Sequence, residues 1–335
     1  SGIVTAFVHR YMGSEFTAYT LSNAGTRYDE TPRATTIANR LKIPHAIVYP
    51  NRLVEVIQSF QRAYQEPFGD YSAIPALLVT EEARKKVKVM LSGDGSDEFF
   101  FGYNRMTSML QAADYYKFPL LFRKVLKRLN SSIPAITFKN INVMILKRQS
   151  FLLHYDNTLL ELGLTDEELA NEFIKPFDTV NGLGNDMLIK LNTIHRYFQL
   201  QLLKLDRASM YNSIEARVPF ADKELLKYTI AYSASEVTSR DSTVRKAPLQ
   251  KLYRELYPYM PAQEGPKKGF TVDMKSFFDH ELKDYYMDML DTPTIFDGFI
   301  NMKAMKEEFL TGNRQNPMFN WFLLSLQTWS KAYYN

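Results

Sequence analysis

The sequence predicts an α/β fold, with a parallel-sheet core in the first third followed by a mostly helical second half. Three observations predict it. Short β-branched and aromatic runs alternate with helix-period segments up to about residue 117, the pattern of a parallel sheet covered by helices on both faces. A run from Val87 to Leu91, read as a buried strand, breaks into the glycine-rich acidic loop Ser92-Gly93-Asp94-Gly95-Ser96-Asp97-Glu98. That loop falls at the carboxyl end of a strand, where open α/β sheets bind ligands. From about Phe118 the strand signals fade and leucine-rich helical segments take over.

The elements follow in order. Ile3 to Met12 carries an apolar stripe that predicts a helix, stopped by Gly13. Phe16 to Leu21 reads as a strand. Thr31-Pro32 supplies an N-cap and a first-turn proline, and Ala34, Ile37, Ala38 and Leu41 fall on one helical face. Ala46 to Tyr49 is a short strand closed by Pro50. Helices follow from Arg52 to Tyr64 and up to the basic Arg84-Lys85-Lys86, just before the strand at Val87. The run Phe99-Phe100-Phe101 returns the chain to the core. Further on, Met187 to Met210 and Lys223 to Tyr232 are the clearest helices, and Asn130 to Pro134 and Asp178 to Asn185 are the loop candidates. The aromatic end from Met318 to Tyr333 is a closing helix packed on the core, with a ligand groove as the alternative.

Composition narrows the chemistry. The 335 residues are 45% hydrophobic, which supports a substantial core. Zero cysteines exclude disulfides, thiolate metal sites and thiol nucleophiles within this stretch. The five histidines are scattered without an i,i+4 pair, so a histidine metal site is not expected, while hard-cation sites built from Asp and Glu remain open. No apolar run is long enough to span a membrane and no signal-peptide pattern opens the chain, so a cytoplasmic protein is expected. The net charge of +4 is small but unevenly placed. Lys117 to Ser150 holds eight bases, Arg123 among them, and no acid. It reads as a solvated face, with a surface for RNA or another polyanion as the alternative.

An acidic loop with glycines at alternate positions suits phosphates and a divalent cation, because the backbone is free to turn its amides inward. An ordinary surface turn is the competing reading of that string taken alone.

Four segments in order carry a resemblance. They are Glu66-Pro67-Phe68-Gly69-Asp70-Tyr71-Ser72-Ala73-Ile74-Pro75, the Ser92 to Glu98 loop with Gly102-Tyr103, Leu205 to Met210 with Glu215 to Asp222, and Pro266-Lys267-Lys268-Gly269-Phe270. Together they resemble the synthetase (C-terminal) half of the glutamine-dependent asparagine synthetases, a family that includes β-lactam-forming relatives. The resemblance implies an ATP-pyrophosphatase core of the adenine nucleotide α-hydrolase type. It implies one synthetase domain over 1–335, with an α/β nucleotide-binding core at 1–117 and a helical portion at 118–335 that completes the substrate pocket. It also implies ATP and Mg²⁺: a carboxylate is adenylated, pyrophosphate leaves, and ammonia displaces AMP to form an amide.

Residue by residue, Asp97 matches the family's magnesium-binding aspartate and Lys267 the lysine that neutralises the departing pyrophosphate. Lys246 occupies the region of a second phosphate-binding lysine. Ser92, Gly93 and Leu21 fall where the family cradles adenine and ribose. Asp94 is matched to a position that handles the attacking ammonia; capping of the following helix is the alternative. Asp206 and Arg207 bind substrate or intermediate, or form a structural ion pair. Glu215 and Arg217 read as a structural pair stiffening the Val218-Pro219-Phe220 turn.

The chain also departs from the family pattern. Members carry S-G-G-x-D-S before the first helix, whereas this sequence opens at Ser1-Gly2-Ile3. Ser1 is then the last serine of that loop, its upstream part lying outside this sequence, or the loop is altered. The family's glutaminase half, with its N-terminal cysteine, is also not within these residues, so ammonia comes from an upstream or separate domain or subunit, or from solution. Gln250 replaces a common Arg, and the phenylalanine run is bulkier than the usual Leu-Phe-Gly. Both bear on whether aspartate or another small carboxylate, such as a β-lactam precursor, a sugar acid or a peptide, is the substrate. Homo-oligomer formation is left open, and a nucleic-acid partner is not expected.

Overall fold

The computed structural model describes residues 1–26, 28–131, 136–149, 183–239, 244–259, 269–298, 300–312 and 317–334. In chain order the first third runs α1 (Gly2–Met12), β1 (Ala18–Leu21), α2 (Thr31–Leu41), β2 (His45–Val48), α3 (Leu53–Tyr64), α4 (Ala73–Ala83) and β3 (Val89–Leu91). Then come α5 (Ser96–Phe99), α6 (Asn104–Ala113), α7 (Leu120–Leu129), α8 (Ile141–Gln149), α9 (Asn185–Asn192), α10 (Gln199–Tyr211) and β4 (Glu215–Arg217). The rest is α11 (Lys223–Ala231), α12 (Ala234–Val237), α13 (Ala247–Leu256), α14 (Met274–Asp279), α15 (Lys283–Asp291), α16 (Met302–Thr311) and α17 (Pro317–Tyr334). A π-helical turn, Thr193–Phe198, joins α9 to α10, so the predicted Met187 to Met210 helix is one run.

The alternation in the first third and the helical character of the rest follow the sequence pattern. The sheet is smaller than expected. Among the described residues β1 pairs with β2 and β3 with β4, each pair parallel and separate from the other. β3 is three residues long, and Val89 and Leu91 are exposed, so the reading of this run as a buried strand is corrected. Alternating valines predict a pleated segment, but burial depends on what covers its faces, and that is not local information. At α2 the cap is Glu30 rather than Thr31, with no side-chain capping bond. Asp29 Oδ1 accepts from the Thr31 amide instead, which places Thr31 inside the first turn.

The chain forms two compact units. One comprises 1–6, 92–202 and 218–267, the other 7–91, 203–217 and 268–335. The first is built around Phe99, Phe100 and Phe101, all almost fully buried with Met106, Met109, Ile189 and Phe198. Phe99 meets Phe198 edge-on, and Phe100 meets Phe220 the same way. Each such ring contributes about 1.5–3 kcal/mol by leaving water. The phenylalanine run is therefore core packing.

Arg123, expected on a solvated basic face, is instead buried in this unit. Its guanidinium donates to the carbonyls of Phe118, Ile136, Phe138 and Lys139. Five donors in a rigid fork let one arginine gather four backbone acceptors, a use that charge counting cannot foresee.

The second unit centres on Phe60, Tyr64, Phe68 and Trp321. Trp321 is fully buried, edge-on to Phe60 at 4.9 Å, and its Nε1 donates to the Phe68 carbonyl at 3.0 Å. The aromatic end of the chain is thus a closing helix in the core of this unit, not a groove. Among the described residues no helix is long and apolar enough to cross a membrane.

Candidate active site

In the first unit the Ser92 loop is held together by its own side chains. Ser92 Oγ donates to Asp94 Oδ2 at 2.5 Å and accepts from the Asp94 amide at 3.3 Å. Ser96 Oγ donates to the Gly93 carbonyl at 3.0 Å. The N-cap of α5 is Gly95, at φ 91°, without a side-chain capping bond, so Asp94 does not cap this helix. Its carboxylate belongs to Ser92.

Gly93 presses against the start of the chain. A Cβ there would lie 2.5 Å from the Ser1 nitrogen, so only glycine lets the two backbones meet. Ser1 and the Ser92 loop are thereby neighbours.

Lys246 enters from the far end of the unit's sequence. Its Nζ stands 2.7 Å from Asp97 Oδ1 and donates to Ser96 Oγ at 3.1 Å. Lys246 is the N-cap of α13 with a left-handed φ of 52°. Gly102 lies beneath the pair: a methyl group there would land on Asp97 Oδ1 and Lys246 Cε, while its amide donates to the Asp97 carbonyl at 2.8 Å. Ser1, Ser92, Gly93, Asp94, Asp97 and Lys246, six of the positions singled out from sequence, thus belong to one unit and are linked through one loop. Gln250, one turn into α13, donates to the Arg245 carbonyl at 2.8 Å and accepts from Arg254.

Beside Asp97 sits a buried network that sequence reasoning missed. Tyr103 Oη donates to Glu98 Oε1 at 2.6 Å, and Glu98 is almost fully buried. The Arg105 guanidinium lies over the Tyr103 and Tyr197 rings, at 4.7 and 3.7 Å from their centroids. Burial, with Tyr197 and Glu98 adding to it, pushes the Tyr103 hydroxyl well above its ordinary range, so it stays a donor. Gly102-Tyr103 was visible as a motif, but nothing in the spacing ties Tyr103 to Glu98.

In the second unit the two remaining motif blocks meet. Arg207 Nη1 donates to the Tyr64 carbonyl at 2.9 Å, Tyr64 Oη to the Lys204 carbonyl at 2.9 Å, and Lys204 Nζ to Ser72 Oγ at 3.0 Å. The Ser72 amide in turn donates to Asp70 Oδ1 at 2.9 Å. Asp206 is exposed and makes no ion pair with Arg207 among the described residues, which removes the structural-pair reading. Glu215 and Arg217 do pair, at 2.7 Å on the exposed surface, and the bond from Arg217 holds the Glu215 carboxyl below its usual range. Leu21 ends β1, buried, in register with Val48. Lys267 lies outside the described residues.

The donor set fits a cation that arrives with its own ligands. Among the described residues no three carboxylates or imidazoles gather as a protein cage. One partly buried carboxylate in a glycine-rich loop is the protein share that Mg²⁺ commonly takes, the rest being phosphate oxygens and water.

Residues 1–331 match the family described as asparagine synthase. The glutamine-hydrolysing asparagine synthetase 1 of Bacillus subtilis (strain 168) is 25% identical over 323 residues, covering 90% of this chain and 48% of that protein. Two proteins whose names begin "Putative asparagine synthetase" come from Mycobacterium bovis and Methanocaldococcus jannaschii. They are 29% and 31% identical over 248 and 212 residues, 68% and 58% of this chain. The chain spans less than half of each of these relatives: 48%, 36% and 40%. A family match over nearly the whole chain, together with ordered motifs meeting in folded contacts, makes this chain a member of the asparagine synthase family.

Proposed function

We propose that residues 1–335 are the synthetase domain of an ATP-dependent, AMP-forming amide ligase. It adenylates a small carboxylate, with aspartate the substrate favoured, and transfers ammonia to the acyl-adenylate. The observation that supports this most directly is the loop that joins Ser92, Gly93, Asp94 and Asp97 to Ser1 and Lys246, within a chain of this family.

In this reading Asp97 holds a magnesium ion, which when bound neutralises charge building on the phosphates as the carboxylate attacks the α-phosphorus. Lys246 and Lys267 take the phosphate oxygens, and their point charges stabilise the departing pyrophosphate. Ser92 and Gly93 present backbone to the nucleotide. Asp94, its carboxylate oriented by the Ser92 hydroxyl, receives a proton from the incoming ammonia. The resemblance assigns Arg207 to the substrate or intermediate, and its Nη1 is held on the Tyr64 carbonyl.

The phenylalanine run packs in the core and Gln250 bonds the Arg245 carbonyl, so neither departure by itself argues against aspartate. The relatives' names include glutamine hydrolysis, and an upstream or separate glutaminase is the proposed ammonia source.

The test is product analysis of the intact protein with ATP, Mg²⁺, aspartate and ammonium. AMP, pyrophosphate and asparagine should appear in equal amounts. Formation of ADP and phosphate would overturn the reading.

A further inference from the structure

The pair between Lys246 and Asp97 is built rather than incidental. The two side chains are only 21% and 16% exposed, and the contact is 2.7 Å. Lys246 reaches it from a left-handed backbone conformation, which is uncommon for a residue with a side chain. It also sits at the N-terminus of α13, where the helix dipole disfavours a cation. Gly102 leaves room for the contact at the one place where any other side chain would fill it. Two local preferences are thus set aside, and a glycine leaves the space, so that this ammonium can touch this carboxylate.

Such a pair is a poor source of stability, since two partly desolvated charges regain little more than they lose. It makes better sense as an occupant. An ammonium and a divalent cation seek the same carboxylate oxygen and repel each other at that range, so they compete for it.

We propose that Lys246 is a placeholder for the cation on Asp97, and that it moves from the carboxylate to phosphate oxygens when nucleotide arrives, releasing Asp97 to the metal. This rests on reading Asp97 as the cation ligand of a nucleotide site. In the exchange one ion pair breaks and two contacts form, Asp97 to the cation and Lys246 to phosphate, so every charge remains matched. The consequence is coupling: nucleotide raises metal affinity, and metal raises nucleotide affinity by the same factor. Without nucleotide the lysine keeps the metal out and keeps Asp97 aligned in the loop.

The experiment titrates Mn²⁺, as a probe of the Mg²⁺ site, into the full chain and follows the free-ion electron paramagnetic resonance signal, first without nucleotide. Lys246→Met should bind Mn²⁺ about fivefold more tightly than wild type, through loss of the competing charge. Lys246→Gln should do the same, which guards against misfolding of a single variant. Lys246→Arg should stay near wild type, and adding Asp97→Asn to Lys246→Met should abolish the gain. A non-hydrolysable ATP analogue should then tighten Mn²⁺ binding in wild type far more than in Lys246→Met. Unchanged or weaker nucleotide-free Mn²⁺ binding in both neutral variants overturns the proposal, as does a gain that survives Asp97→Asn. If wild type makes AMP and pyrophosphate yet the neutral variants show no gain, the exchange alone fails. If wild type makes neither product, the ligase reading fails whatever the Mn²⁺ result.

Discussion

At Gly102 one missing methyl group decides whether the site can assemble. Its amide donates to the Asp97 carbonyl, and the space where a Cβ would stand is taken by Asp97 Oδ1 and Lys246 Cε. Both neighbours are partly buried and paired to each other, so neither can swing away without breaking the pair. Gly102→Ala should therefore leave a folded protein, destabilised by about 1–3 kcal/mol as other overpacked sites are. It should lower aspartate-dependent exchange of labelled pyrophosphate into ATP at least ~100-fold. Exchange within a few-fold of wild type would show that the placement of Asp97 and Lys246 around Gly102 is dispensable for adenylation.

Among the elements, α9 and α11 are joined by an unusual fastening. Lys190 is 1% exposed, yet its ammonium donates to the Thr229 and Tyr232 carbonyls at the end of α11, the latter at 2.9 Å. Carbonyls at a helix C-terminus are acceptors without intrahelical partners, so a cation placed there satisfies them and the dipole together. Burial nonetheless pulls the lysine down from 10.5 to about 8, with Asp186 and Glu236 opposing the fall. The sign of the pH dependence follows. Between about 8 and 10.5 the unfolded chain keeps a proton on Lys190 that the folded chain has lost, so the stability due to this residue rises with pH across that window. Wild type should gain roughly 2–3 kcal/mol of unfolding free energy relative to Lys190→Met between pH 7.5 and 10.5. Urea denaturation at both pH values checks this, and no gain by wild type relative to the variant would mean that the buried ammonium keeps its proton.

For the whole molecule, these 335 residues hold no cysteine, so on the proposed reading glutamine hydrolysis and amide formation use different parts of the protein. A thiol that hydrolyses glutamine has to lie outside this stretch. Iodoacetamide should therefore abolish the glutamine-driven reaction of the intact protein while leaving the ammonium-driven reaction within about twofold. Parallel loss of both would place a reactive thiol in the path of amide synthesis itself.

Much of this was legible in the residues. The alternation of helices and strands, the stop at Gly13, the stripe of α2 and the packed aromatic end are local patterns, and local backbone and side-chain preferences express them. The ordered motifs disclosed the family and the loop, since glycines and carboxylates at fixed spacing have few other uses. Contact between distant residues was not legible. Lys246 meets Asp97, Tyr103 meets Glu98, Arg207 meets Tyr64 and Arg123 gathers four carbonyls only because the chain folds back on itself. For the same reason Val89 and Leu91 read as buried and prove exposed, and Asp94 reads as a cap and proves to be held by Ser92, whereas the phenylalanine run, read as returning to the core, does so. Sequence determined which groups are present and what each is able to do, because residue type sets charge, shape and hydrogen-bonding capacity. Tertiary structure alone decided which of them meet, because burial and pairing depend on neighbours that no local pattern names.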